Sequence, residues 1–309
     1  MPDDVVRVQD FKKAYGDIQA VDGISFTVHQ GEIFGLLGPN GAGKTTTMES
    51  LEGLRQPSSG TLEILGVDPS QQARTLHNLI GVQLQASSLP GSMTPREAME
   101  FFCAYHKVPP RFDLLERLGL GDKVNHQYET LSTGLQRRLA LSLAVAHEPP
   151  VILLDEPTAG LDVASRVELH EVMLELKTKG TTILLATHDM AEAEKMADRV
   201  AILLKGKIAA TGSPTQLTAT GSGLVKISVS SEGGSLLKNS IEFPAISQQV
   251  NKGDYVVYYS HEAGETVPAV LGYLKEQQDR LIDLRVERPS LEDRFLEITQ
   301  PDHINGAEL

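Results

Sequence analysis

The 309-residue chain has one cysteine, Cys103, no tryptophan and only 5% aromatic residues. A single cysteine excludes an intramolecular disulfide framework. Long apolar runs are also missing: LALSLAVA is far shorter than the roughly 18 to 20 residues that a membrane-spanning helix needs, which predicts a soluble chain. The opening residues MPDDVV lack the basic flank and apolar core of a secretory signal, so we expect a cytosolic protein.

Basic tracts are missing as well. The chain carries 28 Lys and Arg against 41 Asp and Glu, and this net charge of -13 repels a phosphate backbone. The composition therefore argues against nucleic acid as a main partner. The length suffices for about two domains that each bury a core.

The apolar patterns indicate one domain boundary in the chain. Up to about residue 218, short apolar runs alternate with helical patterns, as in a parallel sheet with crossover helices. The small-residue stretch TATGSGLV then reads as a linker. Beyond it, LVKISVS, DYVVYYS and LIDLRV predict strands, and TVPAVLGYLKEQQ and SLEDRFLEI predict helices. We therefore expect an α/β domain over residues 1–219 and a small α+β domain over 220–309.

The stretch GPNGAGKTT follows the apolar segment EIFGLL and precedes a helical pattern, which is the setting of a phosphate-binding P-loop. Its glycines allow successive amides to enclose a β-phosphate, and the positive end of the following helix favours the same anion. Lys44 can reach the β- and γ-phosphates, and the Thr45 hydroxyl can bind Mg²⁺. The predicted ATP-binding loop comprises Gly38, Pro39, Asn40, Gly41, Ala42, Gly43, Lys44, Thr45 and Thr46.

A second anchor is VILLDEPTAGLD, residues 151–162. Its apolar residues predict a buried strand, and the acidic pair Asp155 and Glu156 follows at the strand's carboxyl end, where α/β sheets bind ligands. Asp155 can hold Mg²⁺, and Glu156 can act as the base that orients water. An acidic pair is ordinarily only solvated, but the P-loop upstream favours the functional interpretation.

These motifs and several others occur in one order, and over about residues 5–218 they resemble the nucleotide-binding subunit of an ATP-binding cassette (ABC) transporter. The motifs are Tyr15, GPNGAGKT, Gln85 in IGVQLQ, LSTG, VILLDEP, AGLD and ATHD. The resemblance implies an α/β P-loop NTPase cassette with a mainly parallel core sheet, an antiparallel β subdomain and a helical subdomain at about residues 86–150. A small C-terminal α+β domain follows. ATP and Mg²⁺ are the implied cofactors.

The resemblance also assigns roles to single residues. Tyr15, before the first strand, would stack on adenine. Gln85 would contact Mg²⁺ and the attacking water, a role for which Gln83 is a rival. His188, at the end of TTILLATH, would hydrogen-bond the γ-phosphate and position water. Asp162 would lie at the seam with a second cassette and touch the opposite P-loop.

The stretch LSTGLQRR predicts a helix with Ser132 as its N-cap, and the amides of Thr133, Gly134 and Leu135 are expected to lack intrahelical partners. This helix end favours an anion by about 0.3 to 1 kcal/mol. A plain helix cap is the alternative. By resemblance, Ser132 and Gly134 would bind the ATP of a second cassette in a head-to-tail sandwich. The family's usual loop is LSGGQ, so Thr133 and Leu135 depart from it.

The segment TPREAMEFFCAYH predicts a helix that begins with a capping box of Thr94 and Glu97. Four side chains recur at helical spacing, and we expect most of them in the core. By resemblance, one or two would instead line the groove that accepts a helix of a transmembrane subunit. The four residues are Ala98, Phe101, Phe102 and Tyr105.

The C-terminal stretch VERPSLEDRFLEIT, residues 286–299, is similar to the ending of cassettes that serve ABC-2 type exporters, including multidrug efflux systems. The region would help two cassettes associate, regulate them, or serve only as a structural addition. The letters NKGD at Asn251–Asp254 match a guanine-reading motif, but they stand past the linker with no apolar strand before them. They predict a turn.

The expected protein is thus an ATPase with Lys44, Glu156 and His188 as catalytic residues. It would power a drug, antibiotic, lipid or glycoconjugate exporter from the cytoplasmic face of the membrane, through separately encoded permease subunits. A second cassette, identical or different, would complete it. The alternative is a soluble cassette that acts on nucleic acid or ribosomes. Against it, Lys44 to Leu131 leaves no room for a long coiled coil, and only one P-loop is present.

Overall fold

A computed structural model describes residues 3–85, 89–219, 224–238 and 241–299. The chain divides into two compact units, Met1–Pro214 and Thr215–Leu309. Residues 220–223 of the predicted linker and residues 86–88 of the predicted helical subdomain lie outside the described ranges. Within those ranges, no helix combines the length and the apolar character needed to cross a membrane.

The first unit contains two sheets and several helices. Its strands are β1 (Asp4–Tyr15), β2 (Ile18–His29), β3 (Ile33–Leu37), β4 (Ser59–Ile64), β5 (Ile80–Gln83), β6 (Val151–Asp155), β7 (Thr182–Thr187), β8 (Arg199–Leu204) and β9 (Lys207–Gly212). Its helices are α1 (Lys44–Leu51), α2 (Ala73–Leu79), α3 (Pro95–His106), α4 (Phe112–Arg117), α5 (Thr133–Val145), α6 (Val163–Thr178) and α7 (Met190–Met196). Helix α8 (Pro214–Ala219) begins at the last residue of this unit.

The central sheet has six strands in the order β5-β6-β7-β3-β8-β9. All neighbours are parallel except β8 and β9. Every residue of β3, β6 and β7 is buried, which explains why these strands read as continuous apolar runs. The parallel sheet that the sequence predicts is confirmed. Because β7 lies between β3 and β6, the carboxyl ends of these three strands stand side by side.

A three-stranded antiparallel sheet, in the order β2-β1-β4, is the β subdomain that the resemblance implies. It shares one buried apolar cluster with the central sheet. Phe26 of β2 stacks on Phe34 of β3 with 5.2 Å between the ring centroids. The two sheets of this unit therefore have a common core.

Helix α3 begins as the sequence predicts. The hydroxyl of Thr94 accepts a hydrogen bond from the backbone amide of Glu97, and the Glu97 carboxylate accepts one from the Thr94 amide. Both halves of the capping box are thus present, and the helix start is fixed locally.

The expected core face of α3 is wrong in part. Ala98 is buried, but Phe101 and Tyr105 are 62% and 60% exposed. The buried side of the helix carries Ala98, Met99 and Cys103 instead. Periodicity alone does not show which of two neighbouring apolar faces meets the core, and packing selected the one with the smaller side chains.

The second unit has a four-stranded antiparallel sheet in the order β11-β12-β10-β13. Its strands are β10 (Val225–Ser231), β11 (Ile246–Lys252), β12 (Tyr255–Ser260) and β13 (Leu281–Glu287), and its helices are α9 (Ser235–Lys238), α10 (Ala263–Glu276) and α11 (Leu291–Thr299). Strand β11 was not predicted, because it has no buried residue. The turn expected at NKGD is confirmed: Lys252 pairs with Tyr255 around Gly253, whose φ is 58°.

Candidate nucleotide-binding site

The sheet order brings three predicted motifs to one edge. Gly38 follows β3, Asp155 ends β6 and His188 follows β7. Parallel strands present their carboxyl ends on the same side, and these three strands are neighbours. The P-loop, the acidic pair and the histidine therefore converge where open α/β sheets bind ligands.

Two glycines of the P-loop are required for different reasons. Gly43 has φ 106°, a conformation that other residues resist, and an added Cβ would lie 2.7 Å from the carbonyl oxygen of Ala20. Gly38 has no positive φ. A Cβ there would lie 2.3 Å from the carbonyl oxygen of Leu203, so close backbone approach requires this glycine.

Lys44 is held at the centre of the loop and is only 5% exposed. Its Nζ donates hydrogen bonds to the carbonyl oxygens of Gly38 at 2.7 Å and Pro39 at 3.2 Å. Nζ also lies 3.5 Å from Oε1 of Glu156. Burial lowers the pKa of Lys44, and the Glu156 carboxylate counteracts this by raising it. Two carbonyl groups and Glu156 thus hold the Lys44 cation inside the loop, and bound phosphates would take their place as its partners.

Glu156 connects Lys44 to His188. Its Oε2 lies 2.7 Å from Nδ1 of His188, whose side chain is half-exposed. Glu156 has φ 50°, a left-handed conformation that is costly for a residue with a side chain. Its amide donates to the carbonyl of Ala186 at 2.9 Å, which fixes this conformation to β7. Strained backbone at this position is typical of a functional residue.

Asp155 and Thr45 form a pair that fits Mg²⁺. Burial raises the pKa of Asp155, while a hydrogen bond from the Thr45 side chain lowers it. Oδ1 of Asp155 is buried and has no hydrogen-bond partner among the described residues. A buried carboxylate oxygen beside a hydroxyl suits a hard cation, which prefers oxygen ligands and usually keeps phosphate and water in its shell.

Tyr15 is the last residue of β1, so the expectation that it precedes the first strand is wrong. Its side chain is 40% exposed, and Nζ of Lys13 and the guanidinium of Arg55 lie 5.1 and 5.9 Å from the ring centroid. An exposed ring among cations suits a nucleotide, because the cations attract phosphate and the ring offers a face for stacking. Adenine stacking by Tyr15 stays a prediction.

Two glutamines stand at the end of β5, beside β6. Gln85 is exposed in a turn, whereas Gln83 is buried within the strand opposite Leu154. Neither side-chain amide atom of Gln83 has a hydrogen-bond partner in the described part of the chain. The assignment of Gln85 to the Mg²⁺ shell stays a prediction, with Gln83 as its rival.

Comparison with known proteins agrees with this geometry. Residues 21–159 match the family model for ABC transporters. Nod factor export ATP-binding protein I of Paraburkholderia xenovorans is 36% identical over 97% of this chain and 98% of its own length. Daunorubicin resistance ATP-binding protein DrrA3 of Streptomyces coeruleorubidus is 33% identical over 98% of both chains. This chain belongs to the ATP-binding proteins of ABC transporters.

A solved ATP-binding subunit of an ABC transporter has the same fold. It superposes with a TM-score of 0.65 at 28% identity, covering 69% of this chain and 91% of its own. The predicted P-loop NTPase cassette is therefore confirmed. As a member of this family, the protein is an ATPase.

In this ABC cassette the LSTG loop caps helix α5. Oγ of Ser132 accepts a hydrogen bond from the amide of Leu135 at 3.3 Å, so the prediction of Ser132 as the N-cap is confirmed. Ser132 and Thr133 are exposed. A Cβ on Gly134 would lie 3.2 Å from Oγ of Ser165, so this glycine also allows α5 to approach α6 closely.

Asp162 caps the start of α6. Its Oδ1 accepts from the amide of Ser165 at 2.9 Å and its Oδ2 from the Ser165 hydroxyl at 2.7 Å. These bonds to Ser165 lower the pKa of Asp162. Its contact with the P-loop of a second cassette stays a prediction.

Three buried residues linked to the segments of Glu156 and His188 were not singled out in the sequence: Thr158, His170 and Glu192. No local pattern marks them, since they come from three separate segments and His170 lies mid-helix among both apolar and charged residues. Only the fold joins them by hydrogen bonds.

Proposed function

We propose that this ABC ATPase powers export through separately encoded permease subunits of the ABC-2 type, which it binds at the cytoplasmic face of the membrane. Two relatives support this proposal by their names, one for Nod factor export and one for daunorubicin resistance. Their similarity extends over nearly the whole chain, including the C-terminal unit. The chemical nature of the exported molecule would be decided by the permease.

The observation that carries the hydrolysis mechanism is the contact chain from Lys44 through Glu156 to His188. Lys44 would bind the β- and γ-phosphates. Glu156 would accept a proton from the attacking water, and His188 would orient that water and the γ-phosphate. Thr45, Asp155 and Gln85 would hold Mg²⁺, which supplies charge neutralisation when it is bound. The catalytic carboxylate is only 5% exposed, so bulk water screens it little.

The first unit has a cavity of about 650 Å³. Its apolar side chains include Phe101 and Tyr105, which are exposed, and Phe102, which is half-buried. We propose that a cytoplasmic helix of the permease enters this groove. The groove also includes Leu84, which is next to Gln85. Docking of the helix would therefore act on the position of Gln85 at the end of β5.

The second cassette is proposed from the LSTG loop. One P-loop already encloses one side of an ATP, so an additional helix N-terminus with an accessible serine and glycine would serve a nucleotide on another chain. In a head-to-tail pair each ATP lies between one P-loop and the other chain's Ser132 and Gly134. ATP binding then closes the pair and hydrolysis opens it.

Glu156→Gln tests the catalytic assignment. The variant should bind ATP, lose turnover and remain a closed dimer in size-exclusion chromatography with ATP, whereas the control Glu171→Gln, an exposed position on α6, should behave as wild type. Normal turnover by Glu156→Gln would contradict the assignment. Purification of the full chain from detergent extract should bring a multi-span membrane protein; a ribosomal or nucleic-acid partner would instead support the soluble alternative.

A further inference from the structure

Three buried polar side chains near the hydrolysis residues come from separate segments. Thr158 lies in the loop between β6 and α6, His170 lies on α6 and Glu192 lies on α7. They are 4%, 4% and 3% exposed. Polar groups at this depth destabilise the fold unless they are hydrogen-bonded, so their mutual contacts constrain the segments that carry them.

Glu192 joins the other two through one oxygen atom. Its Oε1 accepts a hydrogen bond from Oγ1 of Thr158 at 2.8 Å and lies 3.0 Å from Nε2 of His170, which donates the second. Its other oxygen, Oε2, and the Nδ1 atom of His170 have no hydrogen-bond partner within the described ranges. A carboxylate with two donors on one oxygen and none on the other depends strongly on both donors.

Each end of this cluster leads directly to a hydrolysis residue. Thr158 stands two positions after Glu156. The amide of Ala159, the next residue, donates a hydrogen bond to the carbonyl oxygen of Glu156 at 3.2 Å. Glu192 donates its amide to Oδ1 of Asp189 at 3.0 Å, and Asp189 directly follows His188. The cluster therefore bridges the loop of Glu156 and the helix start behind His188.

We infer that Thr158, Glu192 and His170 form a positioning network that sets the geometry between Glu156 and His188. The inference rests on the proposed roles of those two residues in hydrolysis. His170 touches neither of them and acts through Glu192, which it orients from α6. Loss of its donor would let the Glu192 carboxylate turn, and the loop of Glu156 and the start of α7 would then lose their common anchor.

Steady-state ATP hydrolysis and thermal unfolding of the full chain test this network. The variants are His170→Leu, which removes the donor, and His170→Gln, which retains an N–H donor of similar reach. Thr158→Val removes the other donor with little change of shape. Val172→Ala on the same helix is the matched control, since Val172 is a buried apolar residue outside the network.

His170→Leu and Thr158→Val should each lower kcat about tenfold while KM for ATP changes less than about twofold, the pattern of a lost transition-state geometry. His170→Gln should recover most of kcat. Val172→Ala should lower the midpoint of unfolding and keep kcat within about twofold of wild type. If His170→Leu does not fold, Thr158→Val with the Gln variant decides the question.

Two outcomes would overturn the inference: a kcat of wild-type size in His170→Leu or Thr158→Val, or a loss in His170→Gln as large as in His170→Leu. These results differ from a failure of the proposed function. In that case Glu156→Gln itself would hydrolyse ATP at the normal rate, whereas failure of the network alone leaves Glu156→Gln inactive and the network variants active.

Discussion

The P-loop and the LSTG loop both present a helix N-terminus, but their surroundings differ. At the P-loop, the buried Lys44 lies 3.5 Å from Glu156, so charge and enclosure accompany the backbone amides. At the LSTG loop, Ser132 is exposed and its hydroxyl is used within its own helix. A helix end alone favours an anion by only about 0.3 to 1 kcal/mol. On the proposed function, the first loop would therefore bind a nucleotide by itself, and the second would only strengthen the binding of a nucleotide held by another cassette.

Lys44→Ala should have the largest effect, because it removes the charge that distinguishes the P-loop from the LSTG loop. The variant loses the charged donor that is proposed to bind the phosphates, and this loss corresponds to about 3 kcal/mol and roughly a hundredfold in nucleotide affinity or turnover. Titration with a fluorescent ATP analogue and an ATPase assay measure both quantities. Lys179→Ala, at an exposed lysine, should change neither. Unaltered binding and turnover in Lys44→Ala would show that the amides suffice.

The helices behind the two loops also differ at their other ends. Helix α1 is followed by Glu52, which is 3% exposed, whereas α5 is followed by Ala146. Burial, together with the charges of Asp155 and Glu49, raises the pKa of Glu52 to about 8. Both of its side-chain oxygens lack a hydrogen-bond partner among the described residues. A pKa of about 8 favours the protonated form of Glu52 in the folded chain at neutral pH.

Glu52→Gln should remove the pH dependence that Glu52 gives to the free energy of unfolding. The folded pKa is raised, so the stability contribution of the protonated group is complete below the unfolded value of 4.5 and is lost as pH rises through about 8. The variant should match wild type near pH 4.5 and exceed it by a few kcal/mol near pH 9. Denaturant unfolding at both pH values measures this, with the exposed Glu171→Gln as control. An equal difference at both pH values would contradict the assignment.

Ser132→Ala separates a nucleotide contact from a plain cap. Loss of the N-cap hydroxyl should cost about 1 kcal/mol of stability in either case. If Ser132 also binds the second cassette's ATP, turnover should fall about tenfold as well. Thr94→Ala is the matched control, because Thr94 caps α3 and has no proposed nucleotide. If Ser132→Ala loses as much stability as Thr94→Ala but keeps full ATPase activity, then Ser132 is only a helix cap.

Leu135→Gln should have the smallest effect. It restores the glutamine of the family's usual loop, while Ser132 and Gly134 already provide the proposed contacts. We expect ATPase activity within about twofold of wild type. The comparison is made at saturating ATP, with unfolding midpoints as the check on folding. An increase of about tenfold would mean that Leu135 weakens the loop and that its natural side chain limits turnover.

The residues of the P-loop site were predictable because each stands at the end of a short apolar strand, and parallel strands expose such ends to ligands. Their distances were not predictable. Asp155 ends β6 and His188 follows β7, and the order of these strands in the sheet follows from packing, not from chain order. The burial of Phe101 and Tyr105 was predicted wrongly for a related reason. Periodicity shows that apolar side chains share one face of a helix, but it does not show what packs against that face.

The amino-acid sequence by itself determined the family, the P-loop, the acidic pair and the strand-end histidine, because these depend on local spacing and on runs of apolar residues. Tertiary structure alone decided that Gly38 must pass the carbonyl of Leu203 and that Glu156 contacts both Lys44 and His188. It also decided the bond between Thr158 and Glu192, which are 34 positions apart. Such contacts arise from the packing of strands and helices, and no local pattern encodes them.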